Sequence, residues 1–225
     1  MISGAREPLR PDLREALRYL GVRGEPEPEL ARRLEAAADR LAALPPPVWR
    51  WEVYDLERRA DGMALAGTAL RLTGSLAAEM LTGCERAAVL VCTLGMEWER
   101  LYARTALTDA GEALLLDACG SALAEQAADL AEAELRAAVP GAFLTDRFSP
   151  GYGDLPLALQ DAVLRLLETE RRLGVWLTAG GLAVPAKTVT AFIGLAKEPQ
   201  PARIRGCEVC PLRKDCGGTR CRCGN

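Results

Sequence analysis

The stretch from Asp109 to Ala138, which contains LLLDACGSALAEQAADLAEAELRAA, most constrains what this chain can fold into. It is rich in alanine and other strong helix formers and is closed by Pro140-Gly141, so it reads as one long helix. The segments around it alternate between the two periodicities. Residues 7–20 and 28–44 read as amphipathic helices, the second stopped by Pro45-Pro46-Pro47. Val48 to Leu56 and Met63 to Leu72 read as strands joined by a hairpin-like turn at Asp61-Gly62. Ser75 reads as the N-cap of a short helix, LAAEML, and Ala87 to Thr93 is a continuous apolar run suited to a buried strand ended by Gly95. Beyond the long helix come a strand at Ala142–Phe148, a Gly/Pro-rich loop, a helix over 156–172, and strands at Val175–Leu177 and Thr188–Leu195. Strands that are sometimes adjacent and sometimes separated by helices predict an α+β fold: an antiparallel, mixed-order sheet flanked by helices, with a helical N-terminal preface.

At 225 residues the chain is long enough for one large domain, or one domain with an appendage. Its 49% hydrophobic and 26% charged residues and net charge of −3 exclude a disordered chain and a bulk nucleic-acid binder. The near-neutral total hides an uneven distribution. From Ala196 onward, seven basic residues face three acidic ones, a net of +4, which leaves −7 for the rest. The expected organisation is a helical segment over 1–47, a core over 48–196 and a basic tail over 197–225, the break falling near Pro199-Gln200-Pro201. No apolar run reaches the roughly 18 residues of a membrane helix, and MISGAREPLRPDLREALRYL carries scattered charges with no signal-peptide core, so a cytoplasmic setting is expected.

There is no histidine, and there are eight cysteines. The first fact removes Ser-His-Asp and Cys-His hydrolysis, imidazole acid–base catalysis and His-ligated metals from the chemistry of this chain. The cysteines divide. Cys84, Cys92 and Cys119 lie singly among apolar residues and read as small core residues. Cys207, Cys210, Cys216, Cys221 and Cys223 are spaced C-x2-C-x5-C-x4-C-x1-C. The first three with either Cys221 or Cys223 would close around one zinc ion or an iron–sulfur cluster, and the spacing alone does not choose between them. An electron-relaying cluster and a structural ion both remain open on this reading.

The densest chemistry is in Arg147-Phe-Ser-Pro-Gly-Tyr-Gly-Asp-Leu-Pro-Leu157. Two glycines and two prolines make a stiff, tight loop, Arg147 offers a fork of donors, and the Tyr152 ring can lie against a flat or cationic group. From the residues alone the loop is either a solvated surface turn or a site for an anion with such a group beside it. On the long helix, Asp117, Ser121, Glu125 and Asp129 recur every four residues and form one row, which is either a solvated face or part of a site. Trp49, Trp51, Trp98 and Trp176 read as packing residues, and Lys187 as a solvated lysine.

Arg147 to Tyr152, as RFSPGY, resembles the RxxxGY signature of the S-adenosylmethionine-binding activation domain of vitamin B12-dependent methionine synthase. The resemblance extends in the same order through TLGMEWER (93–100), the long helix, RFSPGYGDLPLALQ (147–160) and PAKTVTAFIGLA (185–196), and so spans roughly residues 1–196. It implies the fold of that domain and a site in which Arg147 holds the methionyl carboxylate, Ser149 contributes its backbone, and Gly151 and Tyr152 close the pocket. Glu125 and Asp129 are the implied candidates for the ligand's ammonium group. Two departures stand out: Phe148 and Ser149 where the larger enzyme has RPAPGY, and Phe192-Ile193 where it places an aromatic residue near the adenosine. The implied function is to support reductive methylation of oxidised cob(II)alamin, in trans, on a cobalamin-dependent methionine synthase that lacks its own activation domain. An electron donor is then required, and neither nucleic acid nor membrane is a partner. The other reading makes the chain a zinc or iron–sulfur redox or adaptor protein for another corrinoid methyltransferase.

Overall fold

The computed structural model describes residues 3–201. In chain order its elements are β1 (Ser3–Gly4), α1 (Leu13–Tyr19), α2 (Pro28–Ala42), β2 (Val48–Arg59), β3 (Gly62–Leu65), β4 (Arg71–Leu72), α3 (Ser75–Met80) and β5 (Cys84–Thr93). There follow α4 (Met96–Ala106), α5 (Ala110–Ala138), β6 (Phe143–Leu144), α6 (Leu159–Leu166), α7 (Thr169–Leu173), β7 (Trp176–Leu177), β8 (Ala183–Val184) and β9 (Thr188–Ala196). The fold is α+β. A seven-stranded sheet runs in the order β4-β3-β2-β5-β9-β6 with β1 beside β2, and β7 and β8 form a separate hairpin. The pairs β1–β2, β2–β3, β3–β4 and β6–β9 are antiparallel. Sequence order and sheet order differ, and helices flank the sheet, as the alternation of periods predicts.

The chain divides into two compact units. The first comprises Met1–Trp51, Leu90–Leu135 and Leu164–Val189. Its core is helical: Leu34, Ala37, Ala38 and Leu41 of α2 and Leu115, Leu116, Ala118, Cys119, Ala122 and Leu123 of α5 are buried with Trp98 of α4. The alanine richness of α5 has a direct use here, because small side chains let neighbouring elements approach the helix backbone closely. Gly120 is the extreme case, since a Cβ there would lie 2.5 Å from Trp98 Nε1. The indole therefore occupies the space a side chain would take, and it stacks on Tyr102 at 5.2 Å.

The alternation in Trp49-Arg50-Trp51 puts both indoles on one face of β2. Both donate to Glu134 near the end of α5, Trp49 Nε1 to Oε2 at 3.2 Å and Trp51 Nε1 to Oε1 at 3.0 Å. One carboxylate thus satisfies two indole N–H groups and ties the strand to the helix within this unit. At the other end of α5, Glu112 takes Arg33 at 3.4 Å and Arg40 at 3.5 Å from α2.

The second unit comprises Glu52–Val89, Arg136–Val163 and Thr190–Asn225, of which the residues to 201 are described. Its buried residues include Leu65 and Leu72 of the β3–β4 pair, Met80 and Leu81 at the end of α3, Phe148 of the Gly/Pro-rich loop, and Phe192 and Ile193 of β9. The β2–β3 hairpin closes with Arg59 opposite Gly62.

Local expectations need correction at several points, and of the strand over 142–148 only Phe143–Leu144 is a strand, with an isolated bridge at Phe148. The strand over 63–72 is two short strands, because the chain turns between Leu65 and Leu70, whose amide and carbonyl bond at 3.2 Å. The helix over 156–172 is broken at Glu168, which takes a left-handed conformation (φ 51°), and the buried Thr169 hydroxyl just beyond it donates to the carbonyls of Leu164 and Val175. Ser75 is the first residue of α3 and not its N-cap: Gly74 is at the cap position and offers no side chain, and the capping oxygens come from Asp154.

Candidate functional site

The loop that begins at Arg147 lies wholly in the second unit and is fixed at both ends. At its start Phe148 and Phe192 exchange backbone hydrogen bonds, N–H to carbonyl, at 3.1 and 2.8 Å. Their rings, both fully buried, sit 5.6 Å apart at a tilt of 40°. One residue from each of the two departures from the pattern that the sequence resembles, Phe148 and Phe192, thus packs on the other. Phe192 is thereby a core residue backing the loop.

Next comes a tight reversal. Tyr152 N–H donates to the Ser149 carbonyl at 3.0 Å, Pro150 is the second residue, and Gly151 is third with φ 90°. This is the residue pattern of a type II turn, in which proline presets the second position and the third needs the positive φ that glycine adopts without strain. A second turn follows, with Leu155 N–H on the Tyr152 carbonyl at 2.9 Å, and Gly151 N–H donates across to the Leu155 carbonyl at 2.9 Å. The two turns interlock. They leave Tyr152 half exposed at 49%, whereas Arg147 is buried at 4%. A guanidinium does not deprotonate in proteins, so the loop combines an inward, permanently charged fork of donors with an outward ring.

Asp154, in the second turn, reaches α3. Its carboxylate accepts from Ser75 N–H at 2.5 Å, Leu76 N–H at 3.0 Å and the Ser75 hydroxyl at 2.8 Å. The Leu76 and Ser75 amides, together with the hydroxyl, hold its pKa down to about 2.

The acidic row belongs to the first unit, on α5. Its N-terminal half is engaged by Lys187, whose ammonium lies 2.8 Å from Asp117 Oδ1 and donates to Ser121 Oγ at 2.7 Å, 5.2 Å from the Trp98 ring centre. With 15% of its side chain exposed, Lys187 is a bound cation and not the solvated lysine expected. The backbone beside it is anchored too: Ala186 N–H donates to Glu99 at 2.7 Å, and Leu94 N–H to the Lys187 carbonyl at 3.0 Å. Glu125, half-buried, and Asp129, exposed, continue the row toward the C-terminal end of α5. Arg147, Ser149, Gly151 and Tyr152 are thus brought together on one loop, and Glu125 and Asp129 on one helix face.

Cys84, Cys92 and Cys119 are buried thiols. Burial pushes the Cys119 pKa up to about 12, which makes it a poor nucleophile and an inert core residue. Cys207, Cys210, Cys216, Cys221 and Cys223 lie outside the described residues. Among the described residues, no helix is long and apolar enough to cross a membrane, and no group of three or more Cys, Asp or Glu side chains is placed to hold a metal ion.

No known family model and no curated protein matches the chain. Among solved structures it is similar to one described as the crystal structure of the MetH reactivation domain bound to AdoHcy. The match has a TM-score of 0.64 and 17% sequence identity, and covers 91% of this chain and 81% of the other. The fold is that of the MetH reactivation domain. The architecture implied by the RFSPGY loop and the segments around it is therefore present in the structure. Within this reactivation-domain fold, two residues escape a reading of the sequence. Asp154 follows the glycines as one more loop residue until its partner, 79 positions earlier, is known. Lys187 gives no local sign that Asp117 and Ser121 enclose it.

Proposed function

We propose that this chain is an S-adenosylmethionine-binding reactivation module, acting in trans on a cobalamin-dependent methionine synthase without an activation domain of its own. The observation that carries the reading is the Arg147 loop: a buried guanidinium and a half-exposed tyrosine on two interlocked turns, in a fold shared with a reactivation domain solved with AdoHcy. The donor set suits the ligand. A buried Arg fork is matched to the methionyl carboxylate, the Ser149 backbone is the proposed polar contact from the turn, and the Tyr152 ring suits a sulfonium or purine face. Glu125 and Asp129 are the proposed partners of the ligand's ammonium group.

The reaction asks little acid–base chemistry of the protein. Cobalamin on the partner, once reduced by one electron from an external donor, would accept the methyl group from the sulfonium, and S-adenosylhomocysteine would leave as a neutral thioether. The chain's own task is to hold the sulfonium in line, a matter of proximity and orientation, and the absence of histidine is no obstacle to it. Cys207, Cys210 and Cys216, with Cys221 or Cys223 as the fourth, are proposed ligands of one zinc ion or iron–sulfur cluster, and a cluster would supply a site for the incoming electron. Metal and acid-labile sulfide analysis of anaerobically purified protein decides between them.

A reactivation assay tests the proposal. Methionine synthase lacking an activation domain, inactivated to cob(II)alamin, is given a one-electron reductant with this chain, with and without S-adenosylmethionine. Methylcobalamin absorbance and turnover should return only when chain and S-adenosylmethionine are both present. Recovery that is independent of the chain would refute the reading.

A further inference from the structure

The N-terminus of α3 and the second turn of the Arg147 loop are joined by one side chain. Gly74 gives α3 no side-chain cap, so the Ser75 and Leu76 amides need an acceptor from elsewhere. Asp154 supplies both bonds and takes the Ser75 hydroxyl as well. Carboxylates are most favourable at such helix starts, where amide donors and the helix dipole act together. Asp154 lies between Gly153 (φ 52°) and Leu155, whose amide and carbonyl close the two turns onto Tyr152 and Gly151. Fixing Asp154 therefore fixes the far end of the segment that Phe148 and Phe192 fix at its beginning.

We propose that Asp154 is a positioning residue for the ligand loop: by clasping the start of α3 it holds residues 149–155 in their binding conformation before a ligand arrives. The assignment rests on the reading of that loop as the S-adenosylmethionine site. A loop ordered in advance loses less conformational freedom on binding, so the clasp acts on affinity without touching the ligand. Its carboxylate is held charged by the amides of Leu76 and Ser75, so the clasp stays closed throughout the physiological pH range.

The test uses the full chain with Asp154→Ala, Asp154→Asn and Ser75→Ala, hydrogen exchange at individual amides, and calorimetric titration with S-adenosylmethionine. In Asp154→Ala the Gly151, Tyr152 and Leu155 amides should exchange roughly tenfold faster or more, and affinity should fall by a comparable factor, the scale of losing hydrogen bonds to a charged group. The Phe148 and Phe192 amides should keep their wild-type protection. Asp154→Asn, which retains one acceptor oxygen, should fall between, and Ser75→Ala, which keeps both backbone bonds, should stay near wild type. Unchanged loop exchange in Asp154→Ala would overturn the proposal. So would equal acceleration at Phe148 and Phe192, because that marks a general loss of stability. If the wild type itself binds no S-adenosylmethionine, the reading of the site fails, and the exchange measurements still decide whether Asp154 orders the loop.

Discussion

Residues close together in this loop have opposite relations to solvent, and that contrast is the basis of its proposed chemistry. Arg147 is buried at the start, Tyr152 is half exposed, and Asp154 is an exposed carboxylate whose oxygens are occupied by the backbone of another element. Asp154 also gives a pH signature whose sign is fixed by its pKa. The folded value of about 2 lies below the ordinary 3.8, so the charged form is favoured by folding. Its contribution is complete above the ordinary carboxylate range and is lost as pH falls from about 4 through 2. Wild type should therefore melt higher than Asp154→Asn at pH 6, and the two should converge near pH 2. Melting temperatures followed across that range check this, and a gap that does not change with pH would contradict it.

At the scale of elements, α5 was legible because its signal is local: composition, length and the Pro140-Gly141 stop all lie within the segment. The β2–β3 hairpin was legible for the same reason, but its turn is Ala60-Asp61, one residue before the expected Asp61-Gly62, and Gly62 is already the first residue of β3, opposite Arg59. What escaped depends on distant partners. The cap of α3 could not be assigned from Ser75, because the acceptor arrives from Asp154, and α4 begins after Gly95 with no side-chain cap, marked only by Glu97 and Glu99 in its first turn. The break between α6 and α7 depends on Thr169 finding two carbonyls around it. The Trp49–Glu134–Trp51 clasp has the same character, with period-2 spacing readable in the strand and the shared acceptor 83 and 85 positions away. Glu134→Ala should leave the indole N–H groups, that of Trp49 buried, without their acceptor and cost about 2–3 kcal/mol in urea denaturation, with Glu134→Gln intermediate. A change under about 0.5 kcal/mol would mean that water replaces the carboxylate and that the clasp is incidental.

For the whole molecule, the fold and the loop answer different questions. The α+β architecture, with its crossed strand order, was readable as a class, and the RFSPGY loop pointed to the particular member of that class that the structure matches at 17% identity. A likeness that distant preserves topology and leaves function to the site. The site in turn depends on side chains whose roles no periodicity reveals: Phe148 on Phe192, Asp154 on α3, and Lys187 between Asp117 and Ser121. Binding of S-adenosylmethionine through Arg147 is tested by calorimetric titration of the full chain with S-adenosylmethionine, beside Arg147→Ala and Arg147→Lys. Wild-type protein should bind at one site and Arg147→Ala at least about tenfold more weakly, with Arg147→Lys recovering only part of the loss because it keeps the charge and not the bidentate fork. Absence of binding by folded wild-type protein, or equal affinity in all three, would contradict it.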